Sequence, residues 1–503
     1  MNKNISLCLH GHFYQPPREN AWTGEIETQP SASPFHDWNE RILQESYKPN
    51  SEAVITDEHD KVTRRVNNYE YFNFDFGPAL LQWIQKKHSK TYEKIVEADR
   101  RSMEIHSGHG NAIAMIYNHI IMPLANTRDK ITQIKWAVED FRIHFHREPE
   151  GMWLPETACN QETIDILAAE KIKYIILDPS QADKIRKIHK GKWKDVSNGS
   201  IATGKSPYRC YAKNSKTDFV DIFFYDGPLS KNIAFDDHIY DSHRLMNRLN
   251  HSGIHFKDQL LSVAVDGETF GHHKHYTERT MSYLFSELLP DSEYSLVNFG
   301  EYLEKHPPEH EVMIKAGKDN EGTSWSCPHG VGRWKENCGC SQSDEFPSQK
   351  WRQPLRDSLD WLRDELASIY ENSVSDLFKD PWAARNDYIR IILDPAKDRI
   401  EEFFFFNSKR FLDGNETNTC LNLLEMQRFS MLMFTSCGWF FSDISGIETL
   451  QIIQYAARAI EIAKVVSGID LEPEFLHRLS AAKSNVKKFK DGKDLYLKKI
   501  KRV

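Results

Sequence analysis

Gly151-Met152-Trp153-Leu154-Pro155-Glu156-Thr157-Ala158-Cys159 decides how this chain is read. An apolar run stops on a rigid proline, a carboxylate follows at once, and Thr163 to Ala169 has the spacing of a helix. Strand, acid, helix is the order in which a β/α barrel presents chemistry at the carboxyl ends of its strands. A second stretch repeats the pattern: Leu261-Ser262-Val263-Ala264-Val265-Asp266-Gly267-Glu268-Thr269-Phe270-Gly271-His272-His273 is an apolar strand that ends in two acids and a glycine. Either acid by itself could be a cap for the following helix. Two strand-end carboxylates in one domain point to a catalytic pair.

Working outward, Ile5 to His10 reads as a short buried strand, with Gly11-His12-Phe13-Tyr14-Gln15-Pro16 as its exit loop and His12 beyond the strand. Residues 18–66 are polar and too long for a turn, which suits a lid or binding loop. Ser102 to His106 reads as another strand and Ile131 to His144 as a helix. Lys173 to Leu177, Asp221 to Phe224 and Ser295 to Val297 read as further strands. Short strands alternating with helices imply a parallel α/β sheet or barrel. An open nucleotide-binding sheet is the competitor, and it lacks a Gly-rich phosphate loop after any strand. From about residue 350 onward only helical periodicity is found. The chain therefore divides into 1–345, a catalytic domain with inserted loops at about 18–66 and 185–220, and 346–503, a helical domain.

The net charge of −8, from 73 acids against 65 bases, argues against a nucleic-acid partner that works through phosphate contacts. No apolar run reaches the length of a membrane span. The amino terminus lacks a signal-peptide pattern and the eight cysteines are irregularly spaced, as reduced thiols would be, so a cytoplasmic protein is expected. Oligomeric state is not legible.

Two carboxyl groups suffice for retaining glycoside hydrolysis, in which one attacks the anomeric carbon and the other protonates the leaving oxygen and then activates water. The order His10-Gly11-His12 with Pro16, His109-Gly110, Trp153 to Glu156, Asp266 to Gly271 and Ser324-Trp325 resembles the motif order of glycoside hydrolase family 57, near its α-amylase/α-mannosidase branch. The resemblance covers residues 4–335. It implies an incomplete (β/α)7 barrel, a retaining mechanism on α-glucans by hydrolysis or transfer, and no required cofactor. It also implies Glu156 as nucleophile, Asp266 as acid/base, and His12, His109, Trp153 and Trp325 around the sugar. His10, Glu268 and His272 stand beside these in sequence and join the candidate substrate-binding residues.

Strand-end histidines and acids also suit a zinc-dependent polysaccharide deacetylase. A carbohydrate-binding module is the third reading, and it has no need of two strand-end acids. Cys327, His329, Cys338 and Cys340 lack the spacing of paired Cys-x-x-Cys knuckles. They read as free thiols in a turn-rich loop, with a structural zinc site of three cysteines and one histidine as the alternative. In the helical half, Cys437 to Asp443 breaks the helical pattern. That segment either reaches the cleft, with Trp439 as a flat platform for a sugar ring and Asp443 as an acceptor for its hydroxyls, or forms a buried connector between helices.

Overall fold

The computed structural model describes residues 5–201, 206–252, 259–346 and 348–501. Its first strand, β1 (Ile5–Phe13), is buried along almost its whole length and organises the sheet around it. The remaining strands that matter for the site are β2 (Asn73–Phe76), β3 (Ala114–Met115), β4 (Met152–Trp153), β5 (Tyr174–Leu177), β6 (Phe219–Phe224), β7 (Gln259–Asp266) and β8 (Tyr294–Leu296). β1 pairs in parallel with β7 from Ile5↔Gln259 to His12↔Asp266. Its other edge is shared: β8 takes Ile5 to Leu7, and β2 takes His10 to Phe13.

Parallel contacts continue from β2 onward. Phe74 bridges Ala112, β3 pairs with β4, Gly151 bridges Tyr174, and β5 pairs with β6. The strand order is thus β7–β1–β2–β3–β4–β5–β6. Past the end of β6, the Asp226 N–H donates to the Ser262 carbonyl within β7 at 2.8 Å. The far edge of β6 bonds the antiparallel strand Tyr208–Tyr211, which continues into His310–Ile314 and the hairpin Ala182–Lys187/Lys190–Asp195. The expected loop at 185–220 therefore contains strands that extend the sheet.

The inner faces of these strands meet in one apolar cluster that includes Cys8, Ile113, Met115, Trp153, Ile176, Phe223, Leu260 and Ala264. Continuous rather than alternating burial along β1, β5 and β7 is the mark of strands covered on both faces.

Two sequence expectations are corrected here. Ser102 to His106 is the last turn of the helix Ser89–Ile105, whose buried positions Thr91, Ile95, Ala98 and Ser102 recur at helical spacing. A five-residue window was too short to show that period. His12 lies inside β1, because pairing with both β2 and β7 carries the strand on to Phe13.

The chain forms two compact units: Met1–Gln15, Thr28–Ile116 and Phe141–Trp325 in the first, and Pro16–Glu27, Tyr117–Asp140 and Ser326–Val503 in the second. The second compact unit takes in the chain from Ser326 on and two earlier segments, one of them from the expected lid at 18–66. Its long helices are Arg352–Val374, Gly414–Leu432 and Ile447–Ser467. In the first of these, Leu355, Leu359, Leu362, Leu366 and Ile369 form the buried stripe that an amphipathic helix presents to a core. Gly414–Leu432 starts on a capping box between Asp413 and Glu416, and Ile447–Ser467 ends on Gly468 in the left-handed conformation. Among the described residues no helix is long and apolar enough to cross a membrane.

Candidate active site

Three adjacent strands put Asp266, His12 and Asp75 side by side, since His12 is in register with Asp266 on one edge of β1 and with Asp75 on the other. Register partners in a parallel pair point to the same face. His10, two residues earlier, shares that face. Asp75 is fully buried and accepts from both imidazoles, from His10 Nε2 at 2.9 Å and from His12 Nδ1 at 2.8 Å.

The two rings are shifted in opposite directions. Burial dominates at His10 and lowers its pKa despite Asp75; its Nε2 faces Asp75, and its buried Nδ1 lacks a hydrogen-bond partner. Burial also disfavours charge on His12, but Asp75, Asp266 and Glu268 outweigh it and raise its pKa to about 9. Burial of Asp75 opposes ionisation, and the two imidazoles, His12 foremost, nevertheless hold its carboxyl below its usual value.

Both rings stack on Trp153, each with centroids 4.9 Å from it. Trp153 is itself fully buried, and its indole N–H has no hydrogen-bond partner. Trp325 closes edge-on over it at 5.2 Å. From there the Trp325 indole N–H donates to Glu156 Oε2 at 3.0 Å, and its backbone N–H donates to the Glu156 carbonyl at 3.0 Å.

Glu156 sits just past β4 in a turn whose backbone is left-handed at two successive residues, φ 58° at Glu156 and 52° at Thr157. For a β-branched residue such as Thr157 this conformation is strained. It is held from outside, because Gln181 accepts from the Thr157 hydroxyl and donates to its carbonyl. Strain maintained by its surroundings gathers where a side chain has to be aimed.

On the opposite side, Asp266 is the exposed last residue of β7. Gly267 follows it because a Cβ there would lie 2.3 Å from the Phe13 ring. Glu268 turns inward, where one carboxyl oxygen accepts from the Tyr14 backbone N–H and the Tyr47 hydroxyl. Burial, with Asp266 adding to it, raises its pKa to about 7 even though Tyr47 and His12 act against the shift. Tyr225 lies beside Trp325. Its ring packs edge-on to Trp325 at 6.2 Å, and its hydroxyl, which donates to Asp178 at 2.6 Å, feels the charge of Asp266.

Several sequence expectations change. His10 and Trp153 are 1% and 0% exposed, so neither presents a free surface to a ligand in this structure. Glu268 is likewise buried behind Asp266. His109 is elsewhere. It precedes β3 at the amino-terminal end of the strands, bonded to Glu150 and Glu304, whereas Glu156 and Asp266 leave the carboxyl ends. His272 is held by Glu45, and it is His273 that feels the charge of Asp266.

Trp439 is a core residue of the helical unit. It is fully buried, stacks on Phe434, carries the Arg356 guanidinium at 4.1 Å over its ring and donates to the Arg352 carbonyl. Asp443 is consumed locally by Ser445, Ser484 and Asn485. Glycine and polar residues did break the helix there, but the turn folds inward because its polar groups are satisfied within the unit. Asp75, Tyr47, Asp178 and Tyr225 escaped the sequence reading. An acid embedded in the apolar run Asn73-Phe74-Asp75-Phe76 was the available signal for the first.

The site thus combines a parallel α/β architecture, acids at the carboxyl ends of β4 and β7, and buried histidine and tryptophan beside them. The model of glycosyl hydrolase family 57 matches residues 11–315, and the chain belongs to that family. Residues 348–503 match a domain of unknown function, DUF3536. Alpha-amylase 1 of Dictyoglomus thermophilum is 30% identical over 107 residues, which cover 21% of this chain and 15% of that protein. Among solved structures, an exo-type maltose-forming amylase from Pyrococcus sp. ST04 superposes with a TM-score of 0.67 at 15% identity, over 94% of this chain and 82% of the other. A family 57 branching enzyme from Thermococcus kodakaraensis gives 0.55 at 14% identity, over 96% and 93%. A 4-alpha-glucanotransferase from Thermococcus litoralis gives 0.53 at 13% identity, over 92% and 60%. At these identities the likeness is one of fold.

Proposed function

We propose that the chain is a retaining glycoside hydrolase or transglycosylase of α-glucans, built on an incomplete (β/α)7 barrel formed by β1 to β7. The observation that supports this reading is that Glu156 and Asp266 both follow the carboxyl ends of parallel strands, β4 and β7, in different surroundings: Glu156 accepts from the Trp325 indole, whereas Asp266 is exposed. The unbroken parallel order, and the antiparallel neighbour on the free edge of β6, support the barrel.

In this reading Glu156 attacks the anomeric carbon. The Trp325 indole N–H steadies its carboxylate and fixes its direction. Asp266, exposed at the tip of β7, gives a proton to the departing oxygen and later takes one from water. Glu268 has the pKa a general acid needs, but it is buried and tied to Tyr14 and Tyr47. It acts as a positioning residue that tunes the field around Asp266. The His12 imidazolium, anchored by Asp75, offers a fixed positive charge beside these acids, and Trp325 offers the half-exposed apolar face for a pyranose ring.

Among the described residues none of the eight cysteines is joined in a disulfide, which suits a cytoplasmic enzyme. The deacetylase reading needs an Asp and two His placed together on a metal; Asp75, His10 and His12 do adjoin, but each imidazole bonds a separate oxygen of Asp75, and they are not among the described groups whose donor atoms could hold an ion. Incubation with soluble α-glucan and chromatography of the products tests the proposal. Shorter chains mean hydrolysis and redistributed chains mean transfer. Unchanged glucan would overturn the substrate assignment, and release of acetate from an acetylated polysaccharide would favour the deacetylase.

A further inference from the structure

We propose that Cys327, His329, Cys338 and Cys340 bind one structural zinc ion. Their donor atoms lie within 4.8 Å of one another, and among the described residues this is the group of such side chains able to hold a metal ion. The individual separations are 3.9 Å from Cys327 Sγ to Cys338 Sγ, 3.8 Å from Cys327 Sγ to Cys340 Sγ, and 3.6 Å from Cys340 Sγ to His329 Nδ1. A tetrahedron with Zn–S bonds of ~2.3 Å and a Zn–N bond of ~2.0–2.1 Å has edges of about 3.8 Å between sulfurs and about 3.6 Å from sulfur to nitrogen. These three edges match both values, and the remaining three stay within 4.8 Å.

Rival explanations of the cluster fit less well. A disulfide needs its sulfurs ~2.0 Å apart, about half the closest separation found here. Thiols are weak donors and weak acceptors, so hydrogen bonding among them gives little reason for three to converge with an imidazole. An iron–sulfur cluster ordinarily takes four cysteines.

The surrounding chain needs such a clamp. Between Ser326 and Trp351 the described residues form one short helical turn, Gly332–Trp334, and no strand. Gly330 and Gly339, with φ of 77° and 85°, turn the chain immediately after His329 and between the two cysteines of the second pair. Both are backbone states that favour glycine. The buried Arg352 donates to the Cys340 carbonyl at 2.8 Å, and Arg356 grips the Trp334 carbonyl through two N–H groups. Three thiolates around Zn²⁺ leave a net charge of −1, which the buried cations Arg333 and Arg352 of the same segment complement. On binding, the three thiols lose their protons to solvent and the imidazole ligates in its neutral form. All four positions are filled by protein, so the site is structural and has no place for a reacting ligand.

The proposal is independent of the glycosidase reading, since its measurement needs no substrate. The full chain, expressed with zinc supplied and purified without chelator, is analysed by inductively coupled plasma mass spectrometry. About one zinc per chain is expected, falling about tenfold or more in Cys338→Ser and Cys340→Ser. Cys420→Ser, a buried cysteine outside the cluster, should keep the metal. His329→Cys should also keep it, as a site of four thiolates, which guards against a serine variant that fails to fold. Cobalt exchanged into the protein should show tetrahedral thiolate ligand-field bands. Folded protein without stoichiometric zinc, or a Cys327–Cys338 disulfide found by peptide mapping, would overturn the proposal.

Discussion

Replacing Asp75 with asparagine should destabilise the first unit and shift the charge of its site together. In the wild type one buried carboxylate accepts from His10 and His12 at 2.9 and 2.8 Å. Asparagine keeps one acceptor but turns an N–H donor toward an imidazole N–H, and it leaves the His12 imidazolium buried without its counter-charge. Removing one partner of a buried ion pair costs about 3–5 kcal/mol. The pKa of His12 gives an independent check. Raised from 6.5 to about 9, it corresponds to on the order of 3 kcal/mol of linked stability. The lowered pKa of Asp75 reports the same interaction and is counted once. At about 1.6 °C per kcal/mol for the first unit of about 290 residues, its unfolding midpoint should fall by about 5–8 °C.

The sign with pH is set by the raised pKa of His12. Its stabilisation is complete below pH 6.5 and is lost as pH rises through about 9. Wild-type stability should therefore decline across that window, and the decline should be absent in Asp75→Asn. Scanning calorimetry at a series of pH values reads both effects, with the His12 titration followed by NMR. A midpoint within about 1 °C of wild type, together with an unchanged pH slope, would refute the reasoning.

Asp266→Asn should lose most turnover and recover part of it with azide or with donors that carry good leaving groups, because it lacks only the proton donor. If Glu268→Gln shows that rescue and Asp266→Asn does not, the acid is Glu268. Because the pKa of Glu268 is raised to about 7, its carboxyl favours the folded state while protonated, and stability falls as pH climbs from about 4.5 to about 7. Glu268→Gln should therefore gain stability relative to wild type across that interval, as measured by urea midpoints. Trp439→Ala should cost about 3–5 kcal/mol of stability and leave glucan affinity unchanged. Weaker glucan binding with unchanged stability would restore it as a sugar platform.

The sequence carried the strand-end acids because a parallel strand writes its own end: an apolar run, then the residue that leaves it. Glu156 and Asp266 were legible for that reason, and so was the helical second half, where a stripe such as Leu355 to Ile369 repeats over several turns. What could not be read depends on pairing between distant segments. His12 and Asp75 are 63 residues apart, and only the register β7–β1–β2 makes them neighbours of Asp266. Trp325 meets Glu156 across 169 residues. Exposure was misjudged for the same reason. Trp153 and Trp439 are flanked by glycine, proline or polar residues that suggest surface, yet each is covered by chain from elsewhere. His109 resembled a site residue by its place in a motif order, and the strand direction then put it at the wrong end.

The central claim is that Glu156 becomes covalently bound to the sugar. A fluorinated α-glucosyl or α-maltosyl donor that forms the intermediate quickly and releases it slowly would trap that state. Digestion and mass spectrometry would then locate the label. The label should appear at one equivalent per chain on the peptide that contains Glu156, and Glu156→Gln should be neither labelled nor active while keeping the wild-type unfolding midpoint. Labelling of Asp266 or Glu268, or turnover by Glu156→Gln, would contradict it.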